Sequence, residues 1–183
     1  MMRWWLGMAL LAVAWLLRGM LEASMVLHMF VQLPALVLAG ALLESAALLR
    51  HWRRADAYGL TSFTLLLVAG AYWMIPRALE LSLTQPLVEA AKFASLLLLG
   101  AVLPDAMRRA NAVIQLFFIG NFCWMGAIAG IQYQNMPQRL CNAYALDEQI
   151  LAGTLLVGAS AAVALAWCIR HFPSGESHEH RTF

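Results

Sequence analysis

Residues 23–43, ASMVLHMFVQLPALVLAGALL, are 21 consecutive positions without an Asp, Glu, Lys or Arg, closed at either end by Glu22 and Glu44. A helix rises about 1.5 Å per residue and a bilayer's hydrocarbon core is about 30 Å thick, so about 20 apolar residues cross it. The segment predicts a membrane-spanning helix. Working outward, charges and turn formers delimit five more apolar runs: residues 4–17 between Arg3 and Arg18, 57–75 up to Pro76-Arg77, 84–103 up to Pro104-Asp105, 111–132, and 150–169 before Arg170. The first run is the shortest; its 14 residues reach only about 21 Å. A leader peptide would also be short and preceded by Arg3. Trp4, Trp5 and Trp15 instead suit interfacial anchoring at both ends of a retained helix.

Composition agrees. Hydrophobic residues make up 62% of the 183 positions and charged residues 12%, against roughly half and a quarter in soluble domains. So little charge does not cover a water-facing surface, which excludes an ordinary soluble enzyme. A net charge of +2 gives no case for nucleic acid as a partner. The expected fold is all-α, a bundle of about six transmembrane helices over residues 1–172, with a polar tail at 173–183. His178 and His180 lie in that tail, where solvation is the expected state.

Arginines set the expected orientation, because basic residues in short loops stay on the cytoplasmic side. With the N-terminus inside, the cytoplasmic side holds Arg3, Arg50, Arg53, Arg54, Arg108, Arg109, Arg170 and Arg181. The outer side holds Arg18, Arg77 and Arg139. Both termini are therefore expected in the cytoplasm, and the linker RHWRRAD, residues 50–56, is the strongest single pointer.

Ionisable and soft side chains inside the membrane are the functional candidates, since each is costly there. Glu89 and Lys92 are at i and i+3 in the fourth run and are expected to pair. In the second run Met25, His28, Met29 and Gln32 recur at i, i+3, i+4 and i+7, which puts them on one helix face. Two readings fit that face: a Met-rich packing stripe with a hydrogen-bonded His and Gln, or a soft metal site, since thioether and imidazole suit Cu(I). In the expected topology Met25, His28, Met29, Met74, Cys123, Met125 and Cys141 all fall toward the outer surface. Cys141 is the better ligand candidate among the cysteines, because it sits in the longest outer loop; Cys123 reads as a small buried hydrophobe. No β pattern, internal repeat, phosphate loop, nucleophile triad or zinc spacing is present, and His28 is the only intramembrane histidine, which argues against a b-type haem.

Three stretches resemble the CtaG-like family of caa3-type cytochrome c oxidase assembly proteins. YWMIPRALELSLTQPLVEAAKFASLLLLGAVL, residues 72–103, resembles the family's Trp-His-x-Pro element, short outer segment and following helix, with Trp73, Pro76 and Gly100 in place. HMFVQLPALVLAG, residues 28–40, is similar to its His-Met-rich helix, and EQILAG, residues 148–153, to the entry of its last helix. Met74 stands where the family usually has His, and Glu89 and Phe93 stand about where it has a further His pair. The resemblance implies a non-enzymatic factor of the bacterial inner (plasma) membrane that handles or inserts Cu(I) at the outer face, with oxidase subunits as partners. Met25, His28 and Met29 would then hold copper, with Met74, Met125 or Cys141 completing the set. A non-catalytic accessory subunit of a larger membrane complex is the second reading, with Glu89, Lys92 and the small-residue faces at Ala39-Gly40, Ala69-Gly70-Ala71 and Gly126 to Gly130 as packing surfaces. A small transporter is the third, on the helix-breaking Pro34 and Pro86.

The orientation is checked directly. A reporter that functions only in the cytoplasm, fused after Arg54, is expected to be active; activity of an exterior-only reporter at that position would reverse the two faces.

Overall fold

The computed structural model describes residues 2–172; Met1 and the tail at 173–183, with its two histidines, lie outside the described residues. All regular structure among the described residues is helical. The chain opens with α1 (Met2–Leu16) and a single turn, α2 (Arg18–Leu21). The second segment is composite: α3 (Met25–Leu27), a π-helical turn over His28–Gln32, and α4 (Leu33–Leu42). Then come α5 (Ala46–Trp52), α6 (Leu60–Trp73), α7 (Pro76–Thr84), α8 (Pro86–Arg109), α9 (Ala112–Asn135) and α10 (Leu146–His171).

Four segments are long and apolar enough to cross a membrane: Met25–Leu42, α8, α9 and α10. A fifth counts if α6 and α7, bent against each other by 79°, make one broken span. The sixth expected span is α1, which is apolar but only 15 residues long.

Of two prolines expected to end a span, one does so and the other does not. Pro76 restricts the residue before it to extended backbone; Ile75 has φ −85° and ψ 120°, and the chain turns there from α6 into α7. Pro104 was expected to stop the fourth span, yet α8 continues through it to Arg109. An interior proline removes a backbone hydrogen bond and costs about 3 kcal/mol. The extra turn is held from outside the helix. Asp105 accepts from Arg53 Nε at 2.9 Å and Arg109 Nε at 2.8 Å. Arg109 also donates to the Asp56 carboxylate at 2.6 Å and to its carbonyl at 2.9 Å. Asp56 accepts from the backbone N–H and hydroxyl of Ser62, at 3.1 and 2.9 Å. The RHWRRAD linker is thus tied to the ends of α6 and α8. The turn there needs Gly59, whose φ of +82° is left-handed and which a Cβ would crowd against Ala106 at 3.0 Å.

Small residues let the long helices touch at backbone level. A Cβ on Gly40 of α4 would meet the Leu97 carbonyl of α8 at 2.1 Å, and one on Gly100 would meet the Val37 carbonyl at 1.9 Å. On α9, Gly126 and Gly130 form a Gly-x-x-x-Gly pair; Gly130 and Gly153 of α10 face each other's carbonyls, 2.5 and 2.6 Å from the added Cβ positions. Lipid tails are as apolar as leucine, so such close van der Waals contact is what holds membrane helices together. Gly100→Val is expected to destabilise the bundle by about 3 kcal/mol, the upper end of over-packing penalties. Thermal unfolding in detergent checks this; an unchanged midpoint would mean that α4 and α8 separate at no cost.

Candidate functional site

Lys92, His28 and Gln32 meet at the end of the bundle opposite the linker. Lys92 lies six residues into α8 and is fully buried. An ammonium carries three N–H donors and no acceptor. All three find partners: Glu22 Oε1 at 2.7 Å, His28 Nε2 at 2.9 Å and Gln32 Oε1 at 3.1 Å. Glu22 accepts a second bond from Gln32 Nε2 at 3.0 Å. His28 and Gln32 are fully buried, and the Glu22 side chain is 12% exposed. Because the ammonium donates to Nε2, that nitrogen holds a lone pair and Nδ1 carries the proton. Nδ1–H donates to the Tyr144 hydroxyl oxygen at 2.8 Å. Both ring nitrogens of His28 are therefore engaged.

The local backbone explains why His28 and Gln32 arrive together. Pro34 has no N–H for the Phe30 carbonyl, and its ring clashes with a carbonyl four residues back in a regular α-helix. The chain widens into a π turn instead, with Leu33 N–H donating to the His28 carbonyl. Such turns gather at functional sites and relieve helix strain. The loop between α9 and α10 closes over the cluster. Tyr144 comes from that loop, while Glu148 of α10 accepts from the Met25 N–H at 3.2 Å. Gln149 holds the loop's base by accepting from Leu140 N–H at 2.8 Å and donating to the Tyr133 carbonyl at 3.0 Å. Burial pushes the Tyr144 phenol up, as do Cys141, Glu22 and Glu148 nearby, so it stays protonated. Burial likewise pushes the Cys141 thiol up, opposed by the backbone N–H groups of Ala143 and Tyr144.

The expected Glu89–Lys92 ion pair is not formed. Lys92 turns into the bundle toward Glu22 and His28, whereas Glu89, in the first turn of α8, pairs with Arg18 at 2.9 Å. The i, i+3 spacing allowed the contact; the Glu89 carboxylate at the mouth of the bundle and the Lys92 ammonium in its interior each have a closer opposite charge. Arg18 also lies over the Trp15 ring, 4.5 Å from its centroid.

The soft donors are brought together in part. Met25, Met29 and Cys141 are buried in one contiguous packed cluster, and Met74 packs against it. Met125 is half-buried on α9 and stands outside that cluster. Cys123 is buried near the linker end with Phe63 and Trp167, as a small hydrophobe. No three His, Cys, Asp or Glu side chains converge on a common point among the described residues. Sequence reasoning used Glu22 only as a boundary marker and missed Tyr144 altogether. Glu22 sits six residues before His28, which puts no charge in the apolar run, and Tyr144 reads as an ordinary loop aromatic.

The chain matches no protein-family model, no curated protein and no solved structure.

Removing one partner of a buried ion pair costs about 3–5 kcal/mol, because the other charge is left alone. Lys92→Met is therefore expected to destabilise the protein by about 3 kcal/mol, since Glu22 keeps partial access to water. The double variant Lys92→Met with Glu22→Gln is expected to recover much of that loss. Unfolding of both in detergent checks it; additive losses would show that the two charges do not stabilise one another.

Proposed function

We propose that this chain is a non-enzymatic assembly factor for a haem-copper oxidase in a bacterial inner membrane, with both termini cytoplasmic, and that it handles copper as cargo at the outer face. One observation carries the reading: Met25, Met29, Met74 and Cys141, from three separate parts of the chain, share one packed cluster at the end of the bundle opposite the arginine-rich linker. Thioether and thiol sulfur are the donors that prefer Cu(I). The order of the sequence elements that resemble the CtaG-like assembly family points the same way.

The donor set in this reading is the sulfur group alone. His28 was the natural imidazole candidate, but its Nε2 accepts from the Lys92 ammonium and its Nδ1 donates to Tyr144. A copper ion at Nε2 would have to displace an ammonium 2.9 Å away. Anaerobic titration of purified protein with Cu(I) is the test. Wild type is expected to take up copper, and Met25→Leu with Met29→Leu to lose the tightest equivalent. No uptake, or an unchanged stoichiometry in the double variant, would remove copper handling from these residues.

The second reading, a non-catalytic accessory subunit, has its own observation. The Glu22–Lys92–His28–Gln32 cluster is complete in its hydrogen bonds, and a satisfied polar network rigidifies a fold without any ligand. Gentle extraction followed by native electrophoresis separates the two. An assembly factor is expected to run largely free of the oxidase, with copper; migration only within a large complex, without copper, favours the subunit.

A further inference from the structure

Two cavities lie between the helices, of about 360 and 500 Å³. They share Leu66, Leu103, Phe122 and Val163 as walls, so they form one groove. It follows α10 from Leu156 near the His28 end to Arg170 at the linker end, about 21 Å at the helical rise. Besides α10, it is lined by α6, α8 and α9, and over the upper part by α4. Ser160 and Arg170 are the only side chains in its lining with a hydroxyl or a charge. The two indole N–H groups in the lining are already spent inside the protein, Trp73 on Ser95 at 3.1 Å and Trp167 on Gln115 at 3.1 Å. Water in such a place would lack the two to four polar partners that hold it. A polar solute would lack them too.

We infer that the groove holds one acyl chain of an anionic bilayer phospholipid, whose headgroup is met by Arg170. Three observations choose this occupant. The groove belongs to helices of membrane-spanning length and composition, so acyl chains are the apolar matter at its side. Its length exceeds the roughly 15 Å depth of one leaflet, so it takes a chain lying along the helix. Its charged end is cationic: Arg170 lines it, and Arg108 on the neighbouring α8 has a side chain 62% exposed at the same end. Three acidic groups lie there: Asp56 and Asp105 are buried and held by Arg109 and Arg53, and Glu44 is shared by Arg3 at 3.3 Å and Arg108 at 4.0 Å, which leaves Arg170 as the cation in the lining with a phosphate to meet. Basic sites between transmembrane helices are recognised by anionic headgroups, at about a fivefold preference per arginine.

Native mass spectrometry of the full chain, released from nanodiscs of phosphatidylcholine and phosphatidylglycerol in equal amounts, tests the assignment. Wild type is expected to retain one phosphatidylglycerol as detergent is raised, about fivefold over phosphatidylcholine. Arg170→Gln is expected to keep a lipid but to lose that preference. Ala159→Leu and Ala166→Leu each place extra methylenes in the groove without touching a polar contact; both are expected to lose the retained lipid while the thermal midpoint holds. Wild type without a retained lipid, equal retention of both lipids by wild type, or full retention by the two filled variants would each overturn the proposal. So would a dimer that forms in wild type and is lost in the filled variants with no lipid bound, since the occupant would then be a second copy.

Discussion

A buried ammonium inside a bundle of apolar helices sets the terms for one whole end of this protein. Taking such an ion out of water costs several kcal/mol even after the surroundings relax. Lys92 is tolerated because three acceptors from another part of the chain surround it, one of them a carboxylate. That requirement fixes the position of Glu22, the direction of the His28 ring and the proton it carries. Through His28 it also fixes the seat of Tyr144, and with it the loop that caps the bundle. The cluster is one connected network, so disturbance at any member passes to the others.

The opposite end solves a different problem. There the charges are at the surface of the bundle, and Asp56 and Asp105 serve as two buried anchors for arginines from a loop and from α8. This arrangement holds a helix past its own proline. Between the two ends almost nothing polar remains, and cohesion comes from glycines that let α4 meet α8 and α9 meet α10. The apolar groove is the place where this close approach is not achieved, since α10 stays with α9 while α4 stays with α8. The polar contacts gather at the two ends of the bundle, and the groove runs between them.

Much of the fold was legible in the chain. The apolar runs at 23–43, 111–132 and 150–169 correspond to the second segment, α9 and α10, with boundaries shifted by a few residues. The small residues at 39–40 and 126–130 read as packing faces, and Gly40, Gly126 and Gly130 meet a neighbouring helix at close range. Of the candidate site, the face shared by Met25, His28, Met29 and Gln32 is buried as the spacing implies. The partners of that face were not legible. Spacing along one helix says which residues look the same way; it carries no information about which charge on another helix is nearest. For that reason Glu89 was the apparent partner of Lys92 and Glu22 was not.

The sequence by itself determined that this is a helical chain with segments long and apolar enough to cross a membrane, because apolar length and scarcity of charge are one-dimensional properties read against the thickness of a bilayer. Tertiary structure alone decided that Lys92 serves as the centre of a cluster, that His28 has no free nitrogen, and that α8 runs on through Pro104. Each of these turns on the distance between groups far apart in the chain, from 52 residues between Arg53 and Asp105 to 116 between His28 and Tyr144. Electrostatic attraction and desolvation depend on separations of a few ångströms in space, which no pattern of neighbours along the chain encodes.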